Sequence, residues 1–327
     1  MAKKRKGMHP IPYDYEAAYQ ANIELLDEYF LAQIAKQNKK GLYACKEIYA
    51  GTQLELEIYP EFFKQEDIPE AGRKKSNKKA QDNLNDKNAR KRLERLINAN
   101  FFSKDIWATL VYRDGKVPKT MEEAMRNMKN YIGRINYHRR KRGLPNAKYI
   151  YVTEYDPDAE IRWHHHVIMD GAMDRDTVEG LWRLGDRNQV RRLEYDKDGL
   201  SGMANYVTKA PKGKKRWSSS QGLKKPTEKK TYNKRTAPKR YKKVGSFVQG
   251  MVRNQQSIED TVKIWHPDYA FTKADVYFND FNGLFYLYIR LHKNELAAEA
   301  RTRKDVAQTE DSVDNGQKQH TKREKHP

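Results

Sequence analysis

Trp163-His164-His165-His166-Val167-Ile168-Met169 is the stretch on which the reading of this chain turns. An extended strand sends alternate side chains to opposite faces. His164 and His166 therefore project together from one face, close enough to share a metal ion. His165 points the other way, in line with Trp163, Val167 and Met169, and belongs in a core. The chain has nine histidines in 327 residues, so three together in an apolar strand call for a chemical reason.

The neighbouring segments supply one. Lys148–Glu154 reads as a strand, and the polar loop 155–162 joins it to the histidine strand. If the two form a hairpin with Glu154 opposite His164, Val152 falls opposite His166, and Glu154, His164 and His166 converge on one face. Two imidazoles and a carboxylate with open positions describe a catalytic site, suited to Mg²⁺ or, given the histidines, Mn²⁺. Glu160 and Asp170 are rival carboxylates. A bare His-x-His at a strand end is more often a surface feature, but the adjacent carboxylate and the basic setting favour a metal. The histidines are contiguous and Ile168 stands where a third alternating histidine would fall, which excludes a histidine-triad hydrolase.

Further out, Ile106–Tyr112 is apolar on both faces, as a covered interior strand requires. A helix follows over 120–139, with Thr120 as N-cap and Glu123 at capping-box spacing. Ala124, Met125, Met128, Ile132 and Ile135 form its apolar stripe. A helix over 174–184, a strand over 189–195 and a short helix over 200–210 complete the order β-α-β-β-α-β-α. The fold class is α+β, helices packed on an antiparallel sheet.

Outside this core, residues 16–37 read as an amphipathic helix, and 42–49 with 53–59 as a hairpin turning at Ala50-Gly51-Thr52. The charged helix over 73–99 either lies against a phosphate backbone or is simply solvated. A helix over 257–265 and a terminal hairpin around Asn279-Asp280-Phe281-Asn282 follow. Four parts are expected: an N-terminal extension (1–99), a core (100–225), a basic segment with a helix and hairpin (226–293), and a disordered tail (294–327).

The formal charge of +21 and pI near 9.7 attract polyanions. Fifteen Lys or Arg against one acid, Glu228, fall between Lys209 and Lys243. Lys212, Lys214, Lys215, Arg216, Trp217, Lys224 and Lys225 are its candidate DNA contacts, with Trp217, Tyr232 and Tyr241 available for stacking. No apolar run reaches membrane-span length, and the basic start lacks the apolar run of a secretory signal. One cysteine, Cys45, excludes an intrachain disulfide and a cysteine zinc site, and a reducing cytosol is the simplest setting.

Gly202-Met203-Ala204-Asn205-Tyr206-Val207-Thr208-Lys209 places Tyr206 and Lys209 on neighbouring parts of one helical face. A phenol is a poor nucleophile at neutral pH; the Lys209 charge and a metal-bound phosphate lower the cost of the phenolate. Tyrosine attack on a phosphodiester leaves a phosphotyrosine and a free hydroxyl, and the step is reversible. Tyr-x-x-Lys alone is weak; its position after the histidine strand and before the basic run gives it weight.

Over residues 100–225 the chain resembles the HUH endonucleases, in particular the single-tyrosine rolling-circle replication initiators of bacterial plasmids and phages. Trp107-Ala108-Thr109-Leu110-Val111-Tyr112, Glu154, His164-His165-His166 and Tyr206-x-x-Lys209 match in order. His165 departs from the aliphatic residue usual at the middle position, and Asn205 and Val207 leave no second tyrosine. The resemblance implies an RNA-recognition-motif-like sheet and a metal-dependent nick in single-stranded origin DNA, with a hairpin as its expected form. It implies a 5′-phosphotyrosine link at Tyr206 and a free 3′ hydroxyl that primes synthesis. The partners implied are the helicase and polymerase of a bacterial host, in its cytoplasm; no GxxxxGK[ST] loop is present for a fused helicase. A relaxase or transposase of the same superfamily, or a non-catalytic basic nucleic-acid-binding protein, is the alternative.

Overall fold

A computed structural model describes residues 21–22, 43–61, 78–186, 188–194, 196–200, 217–232, 248, 251, 255–279 and 284–294. In chain order these hold β1 (Ala21–Asn22), β2 (Tyr43–Ala50), β3 (Gln53–Pro60), α1 (Lys78–Asn100), β4 (Ile106–Val111), α2 (Met121–Lys141), β5 (Tyr149–Asp156) and β6 (Ile161–Met169). Then come α3 (Arg175–Gly180), β7 (Gln189–Arg192), β8 (Ser218–Ser219), β9 (Thr227–Tyr232), α4 (Gln255–Trp265), β10 (Tyr269–Asn279) and β11 (Leu284–Lys293). The architecture is α+β, as the alternation of patterns predicts. Two sheets form, in the orders β7-β4-β6-β5-β8 and β1-β10-β11-β3-β2-β9, and every pairing is antiparallel.

The five-stranded sheet carries the histidines on its middle strand, β6. One of its faces is covered by α2, whose buried Met128, Tyr131, Ile132 and Ile135 pack with Ala108, Leu110, Val167 and Met169. Thr120 caps α2 by accepting from the Glu123 amide at 3.3 Å, and Glu123 reaches back to the Lys119 amide at 2.8 Å, one residue short of a strict capping box. Met125, expected in the apolar stripe, is only half-buried. Tyr131 and Arg139 take the stripe further. Arg139 is an internal anchor, donating to the Pro145 carbonyl at 2.6 Å and pairing with Asp170 at 2.8 Å. Asp174 caps α3, which ends sooner than the expected 184.

The opposite face is partly covered by α1. Leu93, Ile97 and Phe101 pack on Trp107, Ile150, Val152 and Ile168. The other side of α1 meets the six-stranded sheet through charge. Arg95 pairs with Glu55 at 2.7 Å and Glu57 at 2.6 Å, and Glu94 pairs with Arg290. Part of this helix is a wedge joining two sheets, while Lys87, Arg90 and Arg92 stay exposed on it. Gly51, at φ 63°, turns β2 into β3, and a Cβ there would lie 2.0 Å from the Asn98 carbonyl oxygen, so only glycine lets this turn dock on α1.

The six-stranded sheet buries Cys45, Leu54, Leu56, Ile58, Leu287, Ile289 and Leu291 against Ile258, Val262 and Trp265 of α4. It pairs the expected N-terminal hairpin with the expected C-terminal one, since β3 lies beside β11. Two expectations are corrected here. Of the helix over 16–37 the described residues are Ala21 and Asn22, and these are a strand paired with Phe278 and Tyr277; the free edge of β10 offers backbone partners that outweigh local helical spacing. Part of the basic segment, Thr227–Tyr232, is strand β9 on the edge of β2, with Lys230 paired to Glu61 and Lys46 to Glu228. Of the short helix expected over 200–210 only Leu200 is described, in a turn, and of the tail expected over 294–327 only Asn294. Among the described residues no helix is long and apolar enough to cross a membrane.

Glu55 is almost wholly buried, so its charge depends on Arg95. Arg95→Met is expected to destabilise the fold by about 3 kcal/mol, because removing one partner of a buried pair leaves the other charge uncompensated. Urea unfolding monitored by circular dichroism reads this directly, and an unchanged midpoint would refute the role given to α1.

Candidate metal centre

The hairpin register is the one the histidine spacing requires. Glu154 lies opposite His164 and Val152 opposite His166; across the other edge of β6, Thr109 lies opposite His166 and Val111 opposite His164. Glu154, His164 and His166 consequently meet on the face away from α2. His164 Nε2 and His166 Nε2 are 3.1 Å apart, and Glu154 Oε2 lies 3.1 Å from the first and 3.4 Å from the second. Among the described residues these three form the one group of ligating side chains gathered closely enough to hold an ion.

The donor set fits a divalent cation. Two adjacent donors each about 2.1 Å from a shared ion stand about 3.0–3.4 Å apart, the spacing found here. His164 Nδ1 is 2.8 Å from the Arg162 carbonyl, which can only accept, so a proton sits on Nδ1; in the neutral ring the Nε2 lone pair faces the other ligands, and in the protonated ring Nε2–H donates to Glu154. His166 is fixed by Thr109 Oγ1, 3.3 Å from its Nδ1, and by stacking on Trp107 at 5.3 Å. Thr109 and Trp107 were not singled out as site residues from sequence, because only the β4–β6 register reveals that they stand behind His166.

Electrostatics agree with geometry. The Glu154 carboxyl is pulled down to about 2, chiefly because it accepts from His164 and then His166. Burial alone lowers the His164 imidazole, but Glu154 and the Arg162 carbonyl outweigh it and raise it above its ordinary value. A carboxylate ionised at every working pH beside two imidazole nitrogens attracts a cation.

His165 is inward-facing, as alternation predicts. It is fully buried, with Thr153 Oγ1 2.9 Å from Nδ1 and Tyr112 Oη 2.7 Å from Nε2. Burial, followed by the neighbouring His164 and His166, pushes it down to about 3. It is a neutral core residue that fills the place an aliphatic side chain would take, and both ring nitrogens are engaged. The two rival carboxylates are elsewhere: Asp170 is held by Arg139 and the Lys148 amide, and Glu160 sits exposed in the hairpin loop at φ 56°.

Tyr206, Lys209, Lys212, Lys214, Lys215 and Arg216 lie outside the described residues. Trp217 is half-buried and packs beside Leu223 on the cluster that holds Leu93 and Trp107. Asn100 clamps the Lys224 backbone, accepting from its amide at 2.7 Å and donating to its carbonyl at 2.8 Å. The Lys224 and Lys225 side chains are exposed. Tyr232 ends β9 opposite Ala44, and Tyr241 lies outside the described residues.

The antiparallel sheet thus presents two histidines and a glutamate from adjacent strands as a candidate metal site. Residues 105–211 match the family model of the replication-associated protein ORF2, so the resemblance seen in the motifs is upheld for this part of the chain, and the family implies rolling-circle replication initiation. No curated protein and no solved structure matches the chain.

His164→Ala, His166→Ala and Glu154→Ala are each expected to weaken Mn²⁺ binding by at least about tenfold in titration calorimetry. His165→Gln should leave it nearly unchanged. Equal losses across all four would undo the division into ligands and spacer. A second consequence follows from the neutral His165. Its folded value lies below the ordinary 6.5, so an unfolding chain takes up a proton below that pH; stability is full above about 6.5 and falls as pH drops toward 3. Between pH 7 and 5 the stability advantage of the wild-type protein over His165→Gln should shrink by about 2 kcal/mol; a pH-independent difference would contradict a neutral buried His165.

Proposed function

We propose that this protein nicks single-stranded origin DNA by tyrosine transesterification and so starts rolling-circle replication. The observation that carries the reading is the convergence of Glu154, His164 and His166 within 3.1–3.4 Å on one face of the sheet. The match to a replication-associated family over 105–211, a span that includes Tyr206 and Lys209, favours an initiator over a relaxase, a transposase or a non-catalytic binder.

Glu154, His164 and His166 would hold the divalent ion, Mg²⁺ or Mn²⁺. When bound, it supplies Lewis-acid polarisation of a phosphoryl oxygen. The Tyr206 oxygen attacks the phosphorus of the scissile phosphodiester and the bond to the 3′ oxygen breaks. The products are a 5′-phosphotyrosine and a 3′ hydroxyl: the leaving 3′ oxygen takes up a proton, balancing the one the Tyr206 phenol gives up. Lys209, three residues after Tyr206 in sequence, lowers the cost of its phenolate. Because a phosphodiester is exchanged for another, the same residues can rejoin strands. Lys212, Lys214, Lys215, Arg216, Trp217, Lys224 and Lys225 follow the nucleophile in sequence and guide the DNA backbone. Origin DNA, in single-stranded or hairpin form, and the helicase and polymerase of a bacterial host are the partners in this reading, and the host cytoplasm is its setting.

Denaturing gels of the protein incubated with origin-region single strands provide the test. A covalent protein–DNA band is expected with Mn²⁺, lost on chelation, and reduced to background in Tyr206→Phe. A band of equal intensity in Tyr206→Phe would remove Tyr206 as the nucleophile.

A further inference from the structure

The side of α2 turned away from its buried positions carries a cavity of about 580 Å³, bounded by this helix and Arg183, which lies just beyond α3. Lys129, Arg134 and Arg183 line it, half-buried His138 stands beside them, and no carboxylate does so among the described residues. Arg134 is half-buried and anchored, its Nε donating to the Leu181 carbonyl at 2.9 Å. Burial and then the charge of Arg183 both hold its guanidinium below its usual range. Two cations brought together without an acid repel each other, and an anion between them relieves that cost. Gly133 opens the floor: a Cβ added there meets nothing within 4 Å.

One wall is aromatic. Tyr137 is 49 % exposed, an unusual placement for so large a ring, and it lines the same cavity. The Lys141 ammonium sits over that ring at 4.9 Å from its centroid. Cations beside an exposed aromatic surface are the combination that holds single-stranded nucleic acid: the charges track phosphates and the ring stacks on a base.

We propose that this groove is a second nucleic-acid site, which binds a single strand through phosphates on Arg134, Arg183 and Lys129 and a base on Tyr137. The α2 side of the sheet is opposite the three metal ligands, since α2 packs on the face of Val167 and Met169. A strand held here is therefore not the segment being cut. The choice of nucleic acid as the polyanion rests on the function proposed above, but the geometry of the groove does not.

The test measures binding without divalent metal and reads no cleavage, so it can fail while the covalent-adduct assay succeeds, and the reverse. Fluorescein-labelled oligothymidylate is titrated with the full chain by anisotropy. Lys129→Glu/Arg183→Glu is compared with Lys116→Glu/Lys263→Glu, which changes the net charge equally at exposed lysines outside the groove; thermal melts confirm that both fold. The groove variant should lose at least about tenfold in affinity and the control less than about threefold, and the salt slope should fall by about 1.4 for two lost phosphate contacts. A strand carrying 5-iododeoxyuridine should photocrosslink to Tyr137, mapped by mass spectrometry, with no crosslink at that position in Tyr137→Ala. Equal losses in the two double variants, or a crosslink confined to other residues, would overturn the proposal. So would millimolar inorganic phosphate abolishing the crosslink while strand affinity is the same in both variants, which would mark a small-anion pocket.

Discussion

Everything at the candidate metal centre depends on the pairing of β5 with β6. With Glu154 opposite His164, one carboxylate and two imidazoles share a face. A slip of one residue would turn His164 and His166 into the α2 core and bring His165 out alone. The register is held from within. His165 is gripped by Thr153 on one neighbouring strand and by Tyr112, just past the other, while Val167 and Met169 are packed under α2. The inward histidine therefore holds the outward pair in position, although it touches no ligand itself.

The second constraint is α1. Its apolar residues lie on the metal-bearing face of the five-stranded sheet, and its charged residues reach the six-stranded sheet. This explains why a helix so polar in sequence is rigidly placed. It also explains its weak apolar pattern: only a narrow stripe, Leu93 to Ile97 and on to Phe101, faces a hydrophobic partner. The other contact is made by buried ion pairs, which geometry stabilises only when both partners are present. The same helix covers the end of the sheet near Ile168 and Ile150.

The basic character of the chain is divided among several roles. Lys230 and Lys46 are spent on pairing the edge strand β9, and Arg95 and Arg290 on joining the two sheets. Arg139 anchors Asp170. What remains for a polyanion is therefore a subset of the +21 excess, and among the described residues the groove on α2 gathers Lys129, Arg134 and Arg183 with no carboxylate in its lining. Net charge announces affinity for nucleic acid; it does not say which lysines and arginines are available.

The sequence by itself determined most of the local elements and brought out the candidate ligands. Alternation put His164 and His166 together, capping residues began α2, and Gly51 marked the first hairpin, because each signal acts over a few residues through backbone geometry. Glu154 was legible because a hairpin leaves few registers. Only the tertiary structure decided that β3 pairs with β11, that Ala21–Asn22 and Thr227–Tyr232 are edge strands, and that α1 is a wedge. Those strand pairings join residues roughly 180 to 260 positions apart, where hydrogen bonds between backbones carry no residue-specific mark. The supports of the site, Thr109 and Trp107 behind His166 and Tyr112 behind His165, were hidden for the same reason. Each is an ordinary strand or strand-end residue until a distant strand is laid beside it.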